Sequence, residues 1–589
     1  VSNTGSIIEQ AILQERHGSL LAAYDLLQTA LRHDPGDQIL RHRAILLLAR
    51  GGATDEASRH YASHGLDQVI DHEDVIALGG RLLKDRALAS VGAARLAHAH
   101  AAIGKYRQAF ELRKSLYPAI NIAMLQVLIG DFAAAREGAR WVLSRPGNGE
   151  ENYFDWATRC EAQVILGQAD QADVALGRAI ACDPADLASR ASTLRQLEIL
   201  GLALGQDMSW LQRHRPAESL HYCGHMFAWS QGSTCLDALA ATLRAEIERR
   251  KPGAMFGALA AGGDLLLAEA ALAAGADLHV VLPFEEAEFL RCSVAPYGAE
   301  WLPRYHECRR RAASFRIYLP EPYLGDDHAF SLGSSYAMGL AIRHAQANRG
   351  PVAQLCLWDG VVSDQIAGTS IDRQIWRSTG LPQTIIDFPG ALRQPALSVP
   401  PREPLIADRR PRAILFGDVS GFSRLSERQV QLFFGSVMAS LAEILQQDDF
   451  SPELAEGWGD GLHLVFEKVG KAARTALALQ AGFRAMKLEE HGLPGDLALR
   501  IGGHYGPLTP MTAGITGANG YVGVHNTIAA RIEPVTLPGA IFVSEPFAAM
   551  LALEDAQGKA ERCQSGYVGM TDLPKSFGAM RLFSLQPPG

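Results

Sequence analysis

The segments Ile414-Leu415-Phe416-Gly417-Asp418-Val419-Ser420-Gly421-Phe422 and Glu456-Gly457-Trp458-Gly459-Asp460-Gly461-Leu462-His463-Leu464-Val465-Phe466 decide how the last third of this chain is read. In each, an aspartate stands where an apolar run meets glycine. Pro411 to Phe416 has strand character and ends near Asp418, and Val419-Ser420-Gly421 turns the chain towards a helix predicted from Ser426, its N-cap, to about Gln447. Backbone N–H groups at such a turn and helix start converge on one spot and suit phosphate. Asp460 lies in a glycine-flanked turn before the apolar strand Leu462 to Phe466, as in a hairpin. Two strand-end carboxylates held side by side repel unless they share cations, and Mg²⁺ prefers carboxylate and phosphate oxygens. The pair therefore points to a two-metal site for phosphoryl or nucleotidyl transfer. Ordinary Asp-Gly turn capping is the competing reading, and spacing alone leaves both open.

Further along lie His504-Tyr505-Gly506-Pro507, Ala529-Ala530-Arg531-Ile532-Glu533 and Pro538-Gly539-Ala540-Ile541-Phe542-Val543-Ser544. In order with the two aspartate segments, these landmarks resemble the class III adenylyl/guanylyl cyclase domain. The resemblance implies an α+β ferredoxin-like domain over residues 412–589. It also implies conversion of a nucleoside triphosphate, GTP or ATP, to a 3′,5′-cyclic nucleotide and pyrophosphate. By the same resemblance Asp418 and Asp460 bind two Mg²⁺ or Mn²⁺ ions per active site, Arg531 neutralises charge at the α-phosphate, and Val419, Ser420, Gly421 and Phe422 form the phosphate turn. Lys575, before the last strand, is the candidate for the triphosphate tail. For Arg531 the alternative is a helix-surface side chain paired with Glu533.

The positions that read the base depart from the family pattern. Glu456 stands where adenylyl cyclases have Lys and guanylyl cyclases Glu, and a carboxylate accepts from guanine N1 and N2 but meets adenine N1 badly. Counting back from Arg531 puts Gly520 at the partner position and Thr527 where the family has a transition-state Asn. A shift of one recovers Asn526 and Asn519 but replaces the arginine by Ala530. The base stays open between guanine and adenine. In this family the metal carboxylates and the arginine of one site come from opposite protomers, so one such domain per chain implies a homodimer. The alternative function is a weak or inactive cyclase-like scaffold that binds nucleotide or partner proteins.

The rest of the chain is globular in composition. Its 589 residues carry a net charge of −9, with 48% hydrophobic residues and 57 glycines, enough for three or four domains. Slight acidity argues against a nucleic-acid-binding surface. The eight cysteines contain no Cys-x-x-Cys, which indicates neither a zinc knuckle nor a disulfide framework and fits a reducing cytoplasm. The N-terminus has no basic-then-apolar signal pattern, and the most apolar stretch, 254–284, is broken by Asp264, Glu269 and Asp277, so no membrane span is expected.

Residues 1–210 show an internal repeat. A glycine is followed five positions later by alanine at Gly18/Ala23, Gly52/Ala57, Gly104/Ala109, Gly130/Ala135 and Gly167/Ala172, with Pro35, Pro146 and Pro184 each a helix length beyond a glycine. Strings such as Ile103-Gly104-Lys105-Tyr106-Arg107-Gln108-Ala109-Phe110 resemble tetratricopeptide repeats, which implies an all-α helical-repeat solenoid offering a surface to a protein or peptide partner. Over 211–392 the short apolar runs His221 to Phe227, Leu278 to Leu282, Phe315 to Leu319 and Gln354 to Trp358 alternate with helical stretches, the pattern of an α/β Rossmann-like open sheet. Gly262-Gly263-Asp264-Leu265-Leu266-Leu267-Ala268-Glu269 resembles the LOG and DprA proteins. In the LOG family, residues placed as Gly262, Gly263 and Glu269 help hold a nucleotide phosphate or ribose, although Leu265-Leu266 replaces the expected Gly-Thr. Gly333-Ser334-Ser335 reads as a second helix start, so Ser334 and Ser335 join that candidate nucleotide site. Residues 393–411, with Pro395, Pro400, Pro401, Pro404 and Pro411, read as a semi-stiff linker.

Overall fold

The computed structural model describes residues 2–145, 152–228, 234–393, 397, 399–405, 409–512, 519–558 and 563–587; Pro146 and Pro395 lie outside them. The chain begins with a run of α-helices from Ser2–Arg16 to Leu187–Leu204. The Gly/Ala spacing has a direct cause in four of its five places. Gly18, Gly52, Gly130 and Gly167 adopt φ of 76°, 86°, 83° and 76°, the left-handed turn that only glycine enters freely, just before the next helix starts. Ala23, Ala57, Ala135 and Ala172 are then fully buried where that helix meets its neighbour. Gly104 differs: it lies inside the helix Gly92–Arg113, so the fifth place is no turn, although Ala109 is buried like the others.

Six parallel strands follow: β1 Ser219–Gly224, β2 Ala254–Gly257, β3 Asp277–Leu282, β4 Ser314–Ile317, β5 Val352–Trp358 and β6 Gln383–Asp387. Their order is β4-β3-β2-β1-β5-β6, so the direction of winding reverses between β1 and β5. That is the switch point at which open α/β sheets form a crevice. The apolar run from His221 is shorter as a strand than its composition suggests, ending at Gly224. Gly224 packs so closely on the start of the helix after β2, Gly263–Ala273, that a Cβ would lie 2.8 Å from the Gly263 Cα.

The last sheet contains β7 Arg410–Ser420, β8 Leu454–Trp458, β9 Gly461–Phe466, β10 Ala498–Thr512, β11 Asn519–Val522, β12 Ile541–Ser544, β13 Gln564–Leu573 and β14 Gly578–Gln586. The order is β13-β14-β12-β10-β7-β9-β8, with β11 paired to the far end of β10. The segment from β7 to β10 is a βαββαβ unit whose strands lie side by side as β10-β7-β9-β8, all antiparallel neighbours. This is the ferredoxin-like arrangement. The helix after β7 begins at Glu427 behind Ser426, whose backbone N–H donates to the Gln429 side chain at 3.0 Å. It runs as Glu427–Phe433 and Ala439–Leu445 with a π-helical turn, Phe434–Met438, between them, so it is neither continuous nor as long as expected.

The three regions pack against one another. Helix His328–Asn348, behind the parallel sheet, lies on helix Glu545–Ala556, and Arg316 at the end of β4 makes a two-pronged ion pair with Glu545, both N–O distances being 3.1 Å. Tyr336 donates to the same carboxylate at 2.8 Å. From the helical repeats, Asp25 accepts from the Tyr567 hydroxyl of β13 at 2.7 Å. The proline-rich segment is also docked rather than free: Leu405 N–H donates to the Leu324 carbonyl at 2.9 Å, Arg291 donates to the Pro400 carbonyl at 2.9 Å, and Arg409 pairs with Glu321. Among the described residues no helix is long and apolar enough to cross a membrane.

Gly339 marks a tight point of the interface, because a Cβ there would sit 2.1 Å from the Ala549 carbonyl oxygen. In an exposed helix Gly→Ala gains about 1 kcal/mol. Here the obstacle is backbone, which no rotamer change relieves, and overpacking costs about 1–3 kcal/mol. Gly339→Ala should therefore lower the urea midpoint with helix content unchanged. A raised midpoint would show that these two helices do not touch in solution.

Candidate functional site

The site forms where β7 ends beside the β8–β9 hairpin. Asp418 is on β7, and Trp458 pairs with Gly461 so that Gly459-Asp460 is a two-residue turn, with Gly459 at φ 64° supplying the left-handed conformation the turn needs. Asp460 Oδ2 accepts from the Val419 N–H at 3.4 Å. The Asp460 carboxyl is held above its ordinary pKa, first by burial and then by the adjoining Asp418 carboxylate, with which it shares a hydrogen bond. The fold thus brings the two carboxylates together.

Two groups that sequence reading did not assign complete the cluster. In the antiparallel register Arg500 of β10 stands opposite Asp418, and its guanidinium donates to Asp418 Oδ2 at 2.6 Å. Its Nε lies 2.5 Å from Glu533 Oε1. Glu533, which only the alternative reading of Arg531 made that arginine's partner, is paired with Arg500. Burial pushes Glu533 up to about 7 against the pull of Arg500, and the charges of Asp418 and Asp460 act in the same direction as burial. A clue existed in Leu499-Arg500-Ile501, an arginine inside an apolar run, but only strand register shows what it faces. Glu533 comes near because Gly502 lacks a side chain: a Cβ there would lie 2.4 Å from the Glu533 nitrogen.

Arg531, Asn526 and Thr527 lie on helix Val524–Ile532, and the His-x-Gly-Pro motif explains how that helix is seated. His504 Nδ1 lies 2.7 Å from Ser544 Oγ and its Nε2 2.9 Å from His525 Nδ1, joining β10, β12 and the helix. A Cβ at Gly506 would collide with the His525 ring at 2.2 Å. Burial holds both histidines neutral, His525 pushed down to about 3 and His504 well below its ordinary value, with each other's charge a lesser cause for His504. These histidines are positioning groups. Among the described residues the half-buried Arg531 has no hydrogen-bond partner for its Nε, and Asn526 donates to the Tyr521 carbonyl at 2.7 Å while its Oδ1 has no partner among them.

Glu456 on β8 meets His463 Nδ1 at 2.9 Å, and the His463 ring is stacked on Phe416 and Trp458 with centroids 4.5 and 6.0 Å away. Gly520 and Asn519 lie on β11 opposite Met511 and Thr512. Val419 is buried in β7, Ser420 ends the strand, Gly421 turns it at φ 93°, and the Phe422 ring packs edge-on against Phe433 at 5.0 Å. Lys575 is exposed in the β13–β14 turn, with β12 and β10 between β14 and β7.

In the parallel sheet the second candidate site is not assembled as expected. Gly262, at φ 99°, precedes helix Gly263–Ala273, but Glu269 is turned to Arg304, whose Nε donates to it at 2.6 Å. Ser334 and Ser335 are within helix His328–Asn348, in its second turn, not at a helix start, so their backbone N–H groups are used inside the helix.

Among the described residues no group of three or more His, Cys, Asp or Glu side chains forms a ready metal cage. The two adjoining carboxylates nevertheless fit Mg²⁺ or Mn²⁺, since both offer hard oxygens and the Asp418 charge disfavours that of Asp460.

Residues 20–126 match the family model described as Tetratricopeptide Repeats-Sensor. Over 141 residues, 23% of this chain, the sequence is 33% identical to the putative adenylate cyclase 3 of Rhizobium meliloti (strain 1021). The chain spans 22% of the length of that relative. Solved structures similar to it include the guanylate cyclase domain of RhGC from Catenaria anguillulae, at 18% identity and TM-score 0.26 over 31% of this chain and 100% of that one. The adenylyl cyclase CyaB from P. aeruginosa is similar at 15% identity and TM-score 0.26, over 31% of this chain and 98% of its own. The chain thus contains a tetratricopeptide-like helical region and a segment similar to an adenylate cyclase.

Proposed function

We propose that the C-terminal domain is a class III nucleotidyl cyclase that acts as a homodimer and is governed by the helical-repeat and Rossmann-like regions. The observation that carries this reading is the adjoining pair Asp418 and Asp460. They would hold divalent cations, which supply charge neutralisation on the triphosphate and acidify the ribose 3′-hydroxyl. The 3′-oxygen bonds to the α-phosphorus, the bond to the β-phosphate oxygen breaks, pyrophosphate leaves, and the hydroxyl proton passes to solvent. Arg531, whose Nε has no hydrogen-bond partner among the described residues, would meet charge at the α-phosphate of the site shared with a second subunit. Arg500 would steady Asp418 until cations replace it. Glu456, fixed by His463, would face the base with Asn519 and Gly520, favouring guanine by its acceptor oxygens.

The second reading, a cyclase-like scaffold, is favoured by the missing side chain at Gly520 and by Asn526 being tied to the Tyr521 carbonyl. Incubating the protein with each of the four nucleoside triphosphates and Mn²⁺, with mass spectrometry of the products, separates the two. A cyclic product, expected chiefly from GTP, supports the cyclase; no cyclic product from any of the four supports the scaffold.

A further inference from the structure

We propose that a cleft in the helical-repeat region, among helices Leu20–His33, Gln38–Arg50 and Thr54–Ser63, is a binding site for a small organic phosphate. The cleft has a volume of about 200 Å³. Tyr24, Leu31, Ile45 and Leu48 give it an apolar floor, while Arg32, Arg41, His60 and His64 supply cationic or hydrogen-bonding heads.

The charges are the telling feature. Among the described residues neither arginine is paired with a carboxylate: Arg32 donates to Thr29 Oγ1 at 2.9 Å and Arg41 to the Pro35 carbonyl. The nearest acids in sequence are engaged elsewhere. Asp34 accepts from the Gly36 N–H at 3.2 Å, and Asp37 accepts from the Ile39 and Leu40 N–H groups at 2.9 and 3.0 Å. Of the two histidines, stacked with centroids 5.8 Å apart, His60 is 3.0 Å from Glu56. His64 is held below its ordinary pKa by burial, then by the charge of Arg41, so it is a neutral donor or acceptor. Two guanidiniums beside an apolar floor match a phosphomonoester, a dianion that accepts forked hydrogen bonds, attached to a ring. The size limits the ring: pockets for drug-sized ligands span about 300–1,000 Å³. A cleft of this size suits one ring and one phosphate rather than an extended peptide.

The cleft also adjoins the last domain. Tyr24 contacts the Tyr567 ring of β13 edge-on, with centroids 6.2 Å apart, and its neighbour Asp25 accepts from the Tyr567 hydroxyl and from the Met570 N–H at 3.3 Å. Occupancy therefore bears on β13; that this alters turnover rests on the cyclase reading, whereas binding itself does not.

The test follows the isoleucine methyl resonance of Ile45 in the full chain, with EDTA present, while phenyl phosphate, inorganic phosphate, 5′-AMP and an acidic peptide are added in turn. Phenyl phosphate should shift it saturably below 1 mM, with inorganic phosphate at least about tenfold weaker for want of the apolar contact and 5′-AMP weaker for want of room for its purine and ribose. Arg32→Gln/Arg41→Gln should weaken binding at least about tenfold while the thermal midpoint holds. Arg32→Gln alone, at an exposed position, gives the same reading if the double variant folds poorly. No saturable shift, equal affinity for inorganic phosphate, tighter binding of the peptide, or binding indifferent to these substitutions would each overturn the assignment. Because the readout needs no turnover, its failure is distinct from absence of cyclase activity.

Discussion

Asp418→Ala should reduce metal-dependent release of pyrophosphate from the preferred nucleoside triphosphate by about 10²–10³-fold or more, the size of effect that follows loss of one preorganised transition-state group. The reason lies in the geometry of the pair. With Asp418 gone, Asp460 alone offers a single carboxylate, and Arg500 loses the oxygen it holds at 2.6 Å. The fold should tolerate the change, because Asp418 and Arg500 are 30% and 26% exposed along their side chains and such half-exposed pairs contribute about 0–1 kcal/mol. Pyrophosphate release, followed by coupled phosphatase assay beside thermal unfolding, separates lost chemistry from lost structure. Undiminished turnover would remove Asp418 from the site. Mixing Asp418→Ala with Arg531→Ala should restore activity if the two residues act across a dimer, since one of the two shared sites in a mixed dimer keeps both. Unrestored mixtures would place the complete site within one subunit.

The second large effect concerns Glu545. This carboxylate is buried between the parallel-sheet region and the last domain, held by Arg316 at 3.1 Å and by Tyr336 at 2.8 Å. Burial raises its pKa, but the Arg316 and Arg581 charges and the hydrogen bonds more than offset this and bring it down to about 2. Because the folded value lies below the unfolded one, the stabilisation is present above about pH 4.5 and is lost as the pH falls towards 2. Glu545→Gln leaves the Arg316 guanidinium buried without its counter-charge, which costs about 3–5 kcal/mol. Urea unfolding at neutral pH should show a clearly lower midpoint for the variant. Between pH 4.5 and 2 the wild-type midpoint should fall towards that of the variant. Equal midpoints at neutral pH would show that this pair does not join the two regions in solution.

Much of the candidate site could be read in advance, because its signals are local. Asp418 and Asp460 stand out since a carboxylate beside glycine at the end of an apolar run is a short-range pattern, and the Gly459-Asp460 turn closes as such a pair should. The turns at Gly18, Gly52, Gly130 and Gly167 were legible for the same reason, as φ values of 76–86° are a property of the residue itself. Gly104 shows where this stops: the same Gly/Ala spacing occurs there, but the helix continues through it to Arg113. The serines at 334 and 335 misled similarly, since Gly-Ser-Ser suits a helix start only if the chain is not already helical from His328.

Local pattern was enough for the kinds of element and the residues able to carry charge to them: helical repeats, buried parallel strands, and an aspartate pair at strand ends. Which charges meet is a matter of the assembled fold. Arg500 reaches Asp418 through antiparallel register across β10 and β7, and Glu533 reaches Arg500 through the bare backbone of Gly502. Arg316 meets Glu545 across a domain contact separated by more than two hundred positions in the chain. Local periodicity encodes one face of one element. The partner on that face depends on how distant elements are brought together, and that is set by packing of the whole chain.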